Sequence, residues 1–428
     1  MPIRKVSSKA TSKVTGTAAA AAAAADATTG ATTGKKSLLQ RLAKSAGSPV
    51  VFAIIVIGLG VLPLLYSSGA IDSTAMIIFS GKCIALAILA IGIDLIWGYT
   101  GMLSLGQGLF FALGGYCMAM HLKMVATGGN ITEFMHTGGL SELPIIWRPF
   151  LTFPATLVLI IVVPAVVGGL VGFFIFRNRV KGVFFSIISQ ALTWAAFSLF
   201  MATSPWTNGN TGITEIKSVF GSIRGDANLD HLYMLFYVSL GVLVLVFILA
   251  TLLTRTKFGK LLIAIRDGEN RTYFSGYSVS RYKNTIYVIS AVLAGIGGAL
   301  FVNFNGSISP SVMTISYSIM MVVWVAIGGR GTIIGAVIGT LLINFGEYTI
   351  ASGSMIQAWQ FIVGGIFVVV ILFFKGGIVG IFTSQLPAAW RWLQARLGGR
   401  GQGKGADQGA GGQLAASQAG SSADAEVG

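Results

Sequence analysis

The sequence predicts an all-α, polytopic membrane protein with about ten transmembrane helices, both termini in the cytoplasm and disordered tails. The first observation is composition. The 428 residues are 54% hydrophobic and only 10% charged, against about 25% charged in a soluble protein. The second is continuity. Apolar runs long enough to span a bilayer as helix, roughly 17–25 residues, fall at about 49–66, 75–97, 104–122, 150–176, 183–203, 232–253, 284–303, 312–329, 331–347 and 356–374. Strands of a transmembrane barrel would instead alternate over about ten residues each.

The third observation is where the charge lies. Cytoplasmic loops collect Lys and Arg. With the N-terminus inside, segments 1–47, 177–182, 254–283 and 375–428 hold 23 basic and 6 acidic residues, a net of +17. The rest of the chain holds 6 basic and 8 acidic residues, a net of −2. The overall charge of +15 therefore reflects orientation in a lipid bilayer and gives no reason to expect nucleic acid as a partner.

Three parts follow: a basic tail at 1–47, a membrane domain at 48–382 and a tail at 383–428, disordered from about 398. Residues 1–35 and 398–428 are Ala, Gly, Ser, Thr, Gln and Lys-rich. They carry too few large apolar side chains to offset the entropy of ordering. The run Ala18–Ala25 followed by "AADA" imitates a signal peptide, but the basic stretch "KKSLLQRLAK" precedes the first real span. "GATTGKKS" is not a phosphate-binding loop. Only three residues separate its glycines where the motif needs four, and Lys36 stands where Ser or Thr should be. Gly295, Gly297 and Gly298 lie inside a span and read as close helix packing. Cys83 and Cys117 lie in spans, and His121, His136 and His231 are scattered. No metal spacing, cofactor motif or catalytic constellation results, so the chain is expected not to be an enzyme.

The spans are interrupted in informative places. "GYTGMLSLGQGLFFALGGY", residues 98–116, holds six glycines with Ser104 and Gln107. Non-helical backbone survives in a bilayer only where protein or a water-filled cavity covers it. The segment is therefore either a close-packed loop or part of a solute path. Asp94 lies one turn before Gly98, and an intramembrane charge costs roughly 2.5–3.5 kcal/mol, so it either faces a partner or a cavity or sits near the cytoplasmic interface. Lys82, Gln190, Thr193, Trp194, Trp324, Asn344 and Glu347 punctuate other spans. The candidate pathway set is Asp94, Ser104, Gln107, Gln190, Thr193 and Trp324, suited to a polar, uncharged or zwitterionic solute. An ion channel would more often show rings of charge.

The largest cytoplasmic feature follows the sixth run. In "TRTKFGKLLIAIRDGENRTYFSGYSVSRYKN" the residues Phe258, Leu261, Leu262 and Ile265 recur at helical spacing. Asp267 and Gly268 mark a turn, and Tyr273, Phe274 and Tyr277 form a second apolar surface. Such a helix lies on the anionic leaflet or docks into a groove on a partner.

"FGKLLIAIRDGENRTYFSGYSVSRYK" resembles the cytoplasmic coupling loop of permeases from branched-chain amino acid ABC importers. "VISAVLAGIGGAL", "IDLIWGYTGMLSLGQGLFFALGGY", "VWVAIGGRGTIIGAVIGTLLIN" and "FFKGGIVG" are similar to further blocks of that family, in the same order, over roughly 50–382. The family usually has His where Gln107 stands. Asp94 in "IDLIW", the stretch Phe274 to Tyr277, Arg330 and "NGNTGIT" resemble the second permease of urea importers.

The resemblance implies a permease subunit of a bacterial ABC importer, multi-pass in the inner (plasma) membrane. It implies four kinds of partner: a second homologous permease, two cytosolic ATP-binding subunits, a periplasmic or secreted solute-binding protein and the bilayer. It places ATPase coupling at Phe258, Ile265, Arg266, Asp267, Phe274 and Gly276. Urea is the first expected solute, with branched-chain or other amino acids second. A self-sufficient secondary transporter is the rival class, and it would show coupling-ion carboxylates near the midplane and an inverted repeat.

Overall fold

The structure, a computed structural model, describes residues 49–65, 74–178, 180, 182–216, 230–351, 363–365, 368–369 and 377–380. Both tails and most of the expected run at 356–374 lie outside the described residues. Every regular element of the described residues is helical, apart from an isolated antiparallel bridge between Ile213 and Ile308.

The helices are α1 (Pro49–Leu65), α2 (Thr74–Thr100), α3 (Gln107–Ala126), α4 (Glu133–Thr137), α5 (Phe153–Arg177) and α6 (Val183–Ala202). They continue with α7 (Ser204–Thr207), α8 (Asp230–Arg255), α9 (Lys257–Phe274), α10 (Val279–Asn305), α11 (Ile315–Gly329) and α12 (Ile333–Ala351).

Six of them are long and apolar enough to cross a membrane: α2, α3, α5, α6, α8 and α10. Among the described residues the count therefore falls short of ten. The runs expected as spans at 312–329 and 331–347 are α11 and α12, which are bent by 117° across a short break. They form one broken span or a re-entrant pair. The reason is length and sequence. Fifteen residues of α11 rise only about 22 Å, less than the hydrocarbon core of about 30 Å. The break itself is Arg330, Gly331 and Thr332, with Gly331 at φ +81°. The apolar helix α1 is also short of span length.

Burial grades outward from a centre. α2 and α3 are mostly covered by protein, whereas α5 and α6 leave most of their side chains bare. Bare residues on α5 include Leu157, Val158, Ile161, Val166, Leu170 and Phe174. An apolar face without protein cover is what lipid requires.

α10 is the hub. It packs on α2, α3, α5 and α9, and small residues let the backbones close in. A Cβ at Gly298 would overlap the carbonyl of Phe111 on α3, and one at Gly297 would stand 2.8 Å from the carbonyl of Ala85 on α2. The Ser290 hydroxyl donates to the Gly92 carbonyl at 2.6 Å. Two hydrophobic cores flank this seam. One joins α3, α5, α10 and α11 around Phe110, Phe111, Tyr287 and Trp324. The other joins α1, α2, α8 and α12 around Phe52, Ile88, Phe236 and Val337.

Candidate functional site: the α2–α3 break and the helix beneath it

Residues 101–106 are non-helical between two buried helices. Their backbone groups need partners, which α6 supplies, while α9 and the α11–α12 elbow hold the end of α2 just before them. From α6, the Ser186 hydroxyl donates to the Leu103 carbonyl at 2.6 Å, and the Ser189 hydroxyl accepts from the Leu105 N–H at 3.2 Å. From α9, Arg266 Nη1 donates to the Gly98 carbonyl at 2.8 Å. From the α11–α12 elbow, the Gly331 N–H donates to Asp94 Oδ1 at 2.6 Å. Within the segment, the Ser104 hydroxyl accepts from the Gly106 N–H at 3.3 Å.

Glycine is required where the elbow meets α2. A Cβ at Gly98 would stand 2.6 Å from both the N and the Cα of Gly331. Beside this contact the Arg330 guanidinium lies 5.1 Å over the Trp97 ring, a cation–π geometry.

The expected pathway residues divide into two groups. Ser104, Gln107 and Thr193 gather around the start of α3. Gly106 abuts Ser189 and Thr193 of α6, and Gly108 abuts Val312, Met313 and Ser318. Gln107 lies between them, 1% exposed, with neither amide atom hydrogen-bonded. Ser318 is equally buried, and its hydroxyl has no partner. The Gln190 amide on α6 is in the same state. Asp94 belongs elsewhere. It is fully buried and turned to the Gly331 backbone. Trp324 is buried on α11, edge-on to Tyr317 at 6.2 Å between ring centres.

Sequence reading missed Ser186, Ser189, Gly331 and Ser318. For α6 the signal was present. Ser186, Ser189, Gln190 and Thr193 stand at i, i+3, i+4 and i+7, a polar stripe on an otherwise apolar helix. For Gly331 no local pattern exists, because its partner lies 237 residues away.

Helix α9 has the apolar stripe expected of it. Leu262 and Ile265 are buried, and Phe258 packs 5.7 Å from Tyr282. The expected turn is a kink at Gly268 (φ −166°, ψ 77°). The Thr272 hydroxyl lies 3.1 Å from the carbonyls of both Ala264 and Gly268 and closes the kink. Lys283 of α10 pairs with Glu269 at 2.8 Å and ties the second arm down.

The six expected coupling residues therefore separate. Phe258 and Ile265 face inward. Arg266 reaches the α2 break, and its Nε donates to Asp267 Oδ1 at 3.0 Å. Phe274 is 85% exposed, beside Gly276 at φ +84°. A cleft of about 390 Å³ opens next to it, lined by Leu261, Asp267, Gly268, Arg271 and Tyr277 among others.

Comparison with known proteins places this geometry in context. A family described as "Branched-chain amino acid transport system / permease component" matches residues 75–372. The chain is 25% identical to the high-affinity branched-chain amino acid transport system permease protein LivM of Escherichia coli, over 82% of this chain and 80% of that protein. It is also 25% identical to LivM of Salmonella typhimurium, over 78% and 76%. The ribose import permease protein RbsC of Haemophilus influenzae is 23% identical over 58% of this chain and 72% of its own length. No solved structure matches the chain.

Proposed function

Because the chain belongs to the branched-chain amino acid transport system permease family, we propose that it forms half of the solute path of an amino acid importer. It is an ABC-transporter permease, a multi-pass inner-membrane subunit and a transport component working with ATP-binding and solute-binding partners.

The observation that carries the finer reading is the buried polar cluster at the start of α3. Gln107 and Ser318 each offer donor and acceptor capacity with no protein partner. Leaving such groups unpaired costs about 1–3 kcal/mol each. A passing solute with both donors and acceptors, as a zwitterionic amino acid and urea both have, relieves that cost, and the likeness to LivM favours the amino acid. A second, homologous permease completes the path, and two ATPases beneath α9 and its exposed Phe274 drive it.

Urea is the second reading, supported by the resemblance at Asp94, Phe274 to Tyr277 and Arg330. It does not need Asp94 as a solute contact. The test is reconstitution with the ATPase, permease and binding-protein partners, followed by uptake of labelled leucine and labelled urea. ATP-dependent leucine accumulation supports the amino acid reading. Urea accumulation alone replaces it with the second. Uptake that follows an ion gradient and ignores ATP removes both in favour of a secondary transporter.

A further inference from the structure

The last turn of α2 is held from two sides at once. A helix end leaves its final carbonyls without intrahelical donors. Here one of them, Gly98, is satisfied by Arg266 of α9, a cation at the helix terminus that the dipole favours. The stem of Arg266 also lies against Gly101, whose Cβ, if present, would stand 3.0 Å from its Cγ. Asp267 steadies the guanidinium through Nε. On the other side Asp94, one turn earlier, holds the Gly331 N–H of the elbow. Arg330 of the elbow covers Trp97. The turn Asp94–Gly98 thus touches the cytoplasmic helix and the broken helix pair through short, directional contacts.

We propose that Arg266 is a positioning residue that transmits movement of α9 through the last turn of α2 to the α11–α12 elbow. The proposal rests on the importer reading for the source of the movement. An exposed docking surface at Phe274 takes the force, and Arg266 passes it on. The elbow is suited to receive it, because two short helices joined by a glycine hinge change angle more readily than a continuous span. Loss of Arg266 therefore separates ATP hydrolysis from transport without detaching the ATPases.

The test uses the assembled complex in liposomes with leucine-loaded binding protein. Arg266→Met keeps the stem on Gly101 and removes every donor. Expected are normal co-purification of the ATPases, ATP hydrolysis close to native, and leucine transported per ATP reduced about fivefold or more. Arg266→Lys, which restores one donor to the Gly98 carbonyl, should recover part of it. Native transport per ATP in Arg266→Met overturns the proposal, and so does loss of the ATPases, which would make Arg266 a docking residue.

A measurement on the native chain stands independently of solute and of folding of the variants. On trapping with ATP and vanadate, amide hydrogen exchange should change together at 95–104 and at 329–333. A change in neither, or in one alone, overturns the proposal. Failure of the importer reading looks different: the native chain then binds no ATPase at all.

Discussion

Asp94 Oδ1 accepts a 2.6 Å hydrogen bond from the Gly331 N–H across 237 residues of sequence. Around this contact α2 meets the elbow, and the carboxylate, the bare Gly98 and the hinge glycine are all needed for it. It anchors one oxygen of an intramembrane acid to the elbow, while Oδ2 stays buried with no hydrogen-bond partner.

Substitution at Asp94 separates anchor from path. Asp94→Asn keeps an acceptor for Gly331 and should retain membrane abundance. Asp94→Leu strands a buried N–H and should cost about 1–3 kcal/mol, seen as a lower thermal midpoint of the purified complex. A stable Asp94→Leu that has lost uptake would place Asp94 in the solute path instead.

Gln107→Leu tests the polar cluster. Replacing an unpartnered buried amide by an apolar group of similar size should leave the thermal midpoint unchanged or raised. Uptake should suffer all the same, with KM rising several-fold for the transported solute. Unchanged uptake would remove Gln107 from the path.

The α10 seam predicts a contrast between two glycines. Gly298→Ala forces a methyl onto the Phe111 carbonyl and should destabilise by about 1–3 kcal/mol. Gly241→Ala on α8 meets nothing within 4 Å and should be neutral or slightly stabilising, since Ala exceeds Gly in helix interiors by up to about 1 kcal/mol. Unfolding of the two variants side by side checks both signs.

Phe274→Asp addresses docking. A side chain 85% exposed contributes little to the fold, so stability should stay within about 0.5 kcal/mol of native. Retention of the ATP-binding subunits during purification should fall. Full retention with native hydrolysis would move the docking surface elsewhere on α9.

Legibility followed locality. The long runs of α2, α5, α8 and α10 are visible because twenty or so apolar residues have one low-energy state in lipid. The stripe on α9 and the kink at Gly268 are visible because they are written in consecutive residues. The elbow is invisible to hydropathy, which sees two apolar runs at 312–329 and 331–347 and not the angle between them. Asp94 and Arg266 were singled out, but not their partners Gly331 and Gly98. Backbone groups have no residue-type signature, and nothing in a sequence says which distant N–H or carbonyl a charge will meet. Ser186 and Ser189 were legible as a stripe, because their spacing alone puts them on the face of Thr193.

The hub position of α10 also has a consequence for how the protein is made. α2, α3 and α5 enter the membrane first, yet the seam that covers them begins only at Val279. From the end of α3 at Ala126 to that point, 153 residues must be synthesised, roughly 8–30 s at 5–20 residues per second. Throughout that interval Gly92 lacks the Ser290 hydroxyl and Gly114 the backbone of Gly295 against which it packs, and Asp94 waits longer still, for Gly331. A nascent chain stalled before 279 is a set of inserted helices without a centre, and the arrival of α10 is the event that turns them into a folded domain.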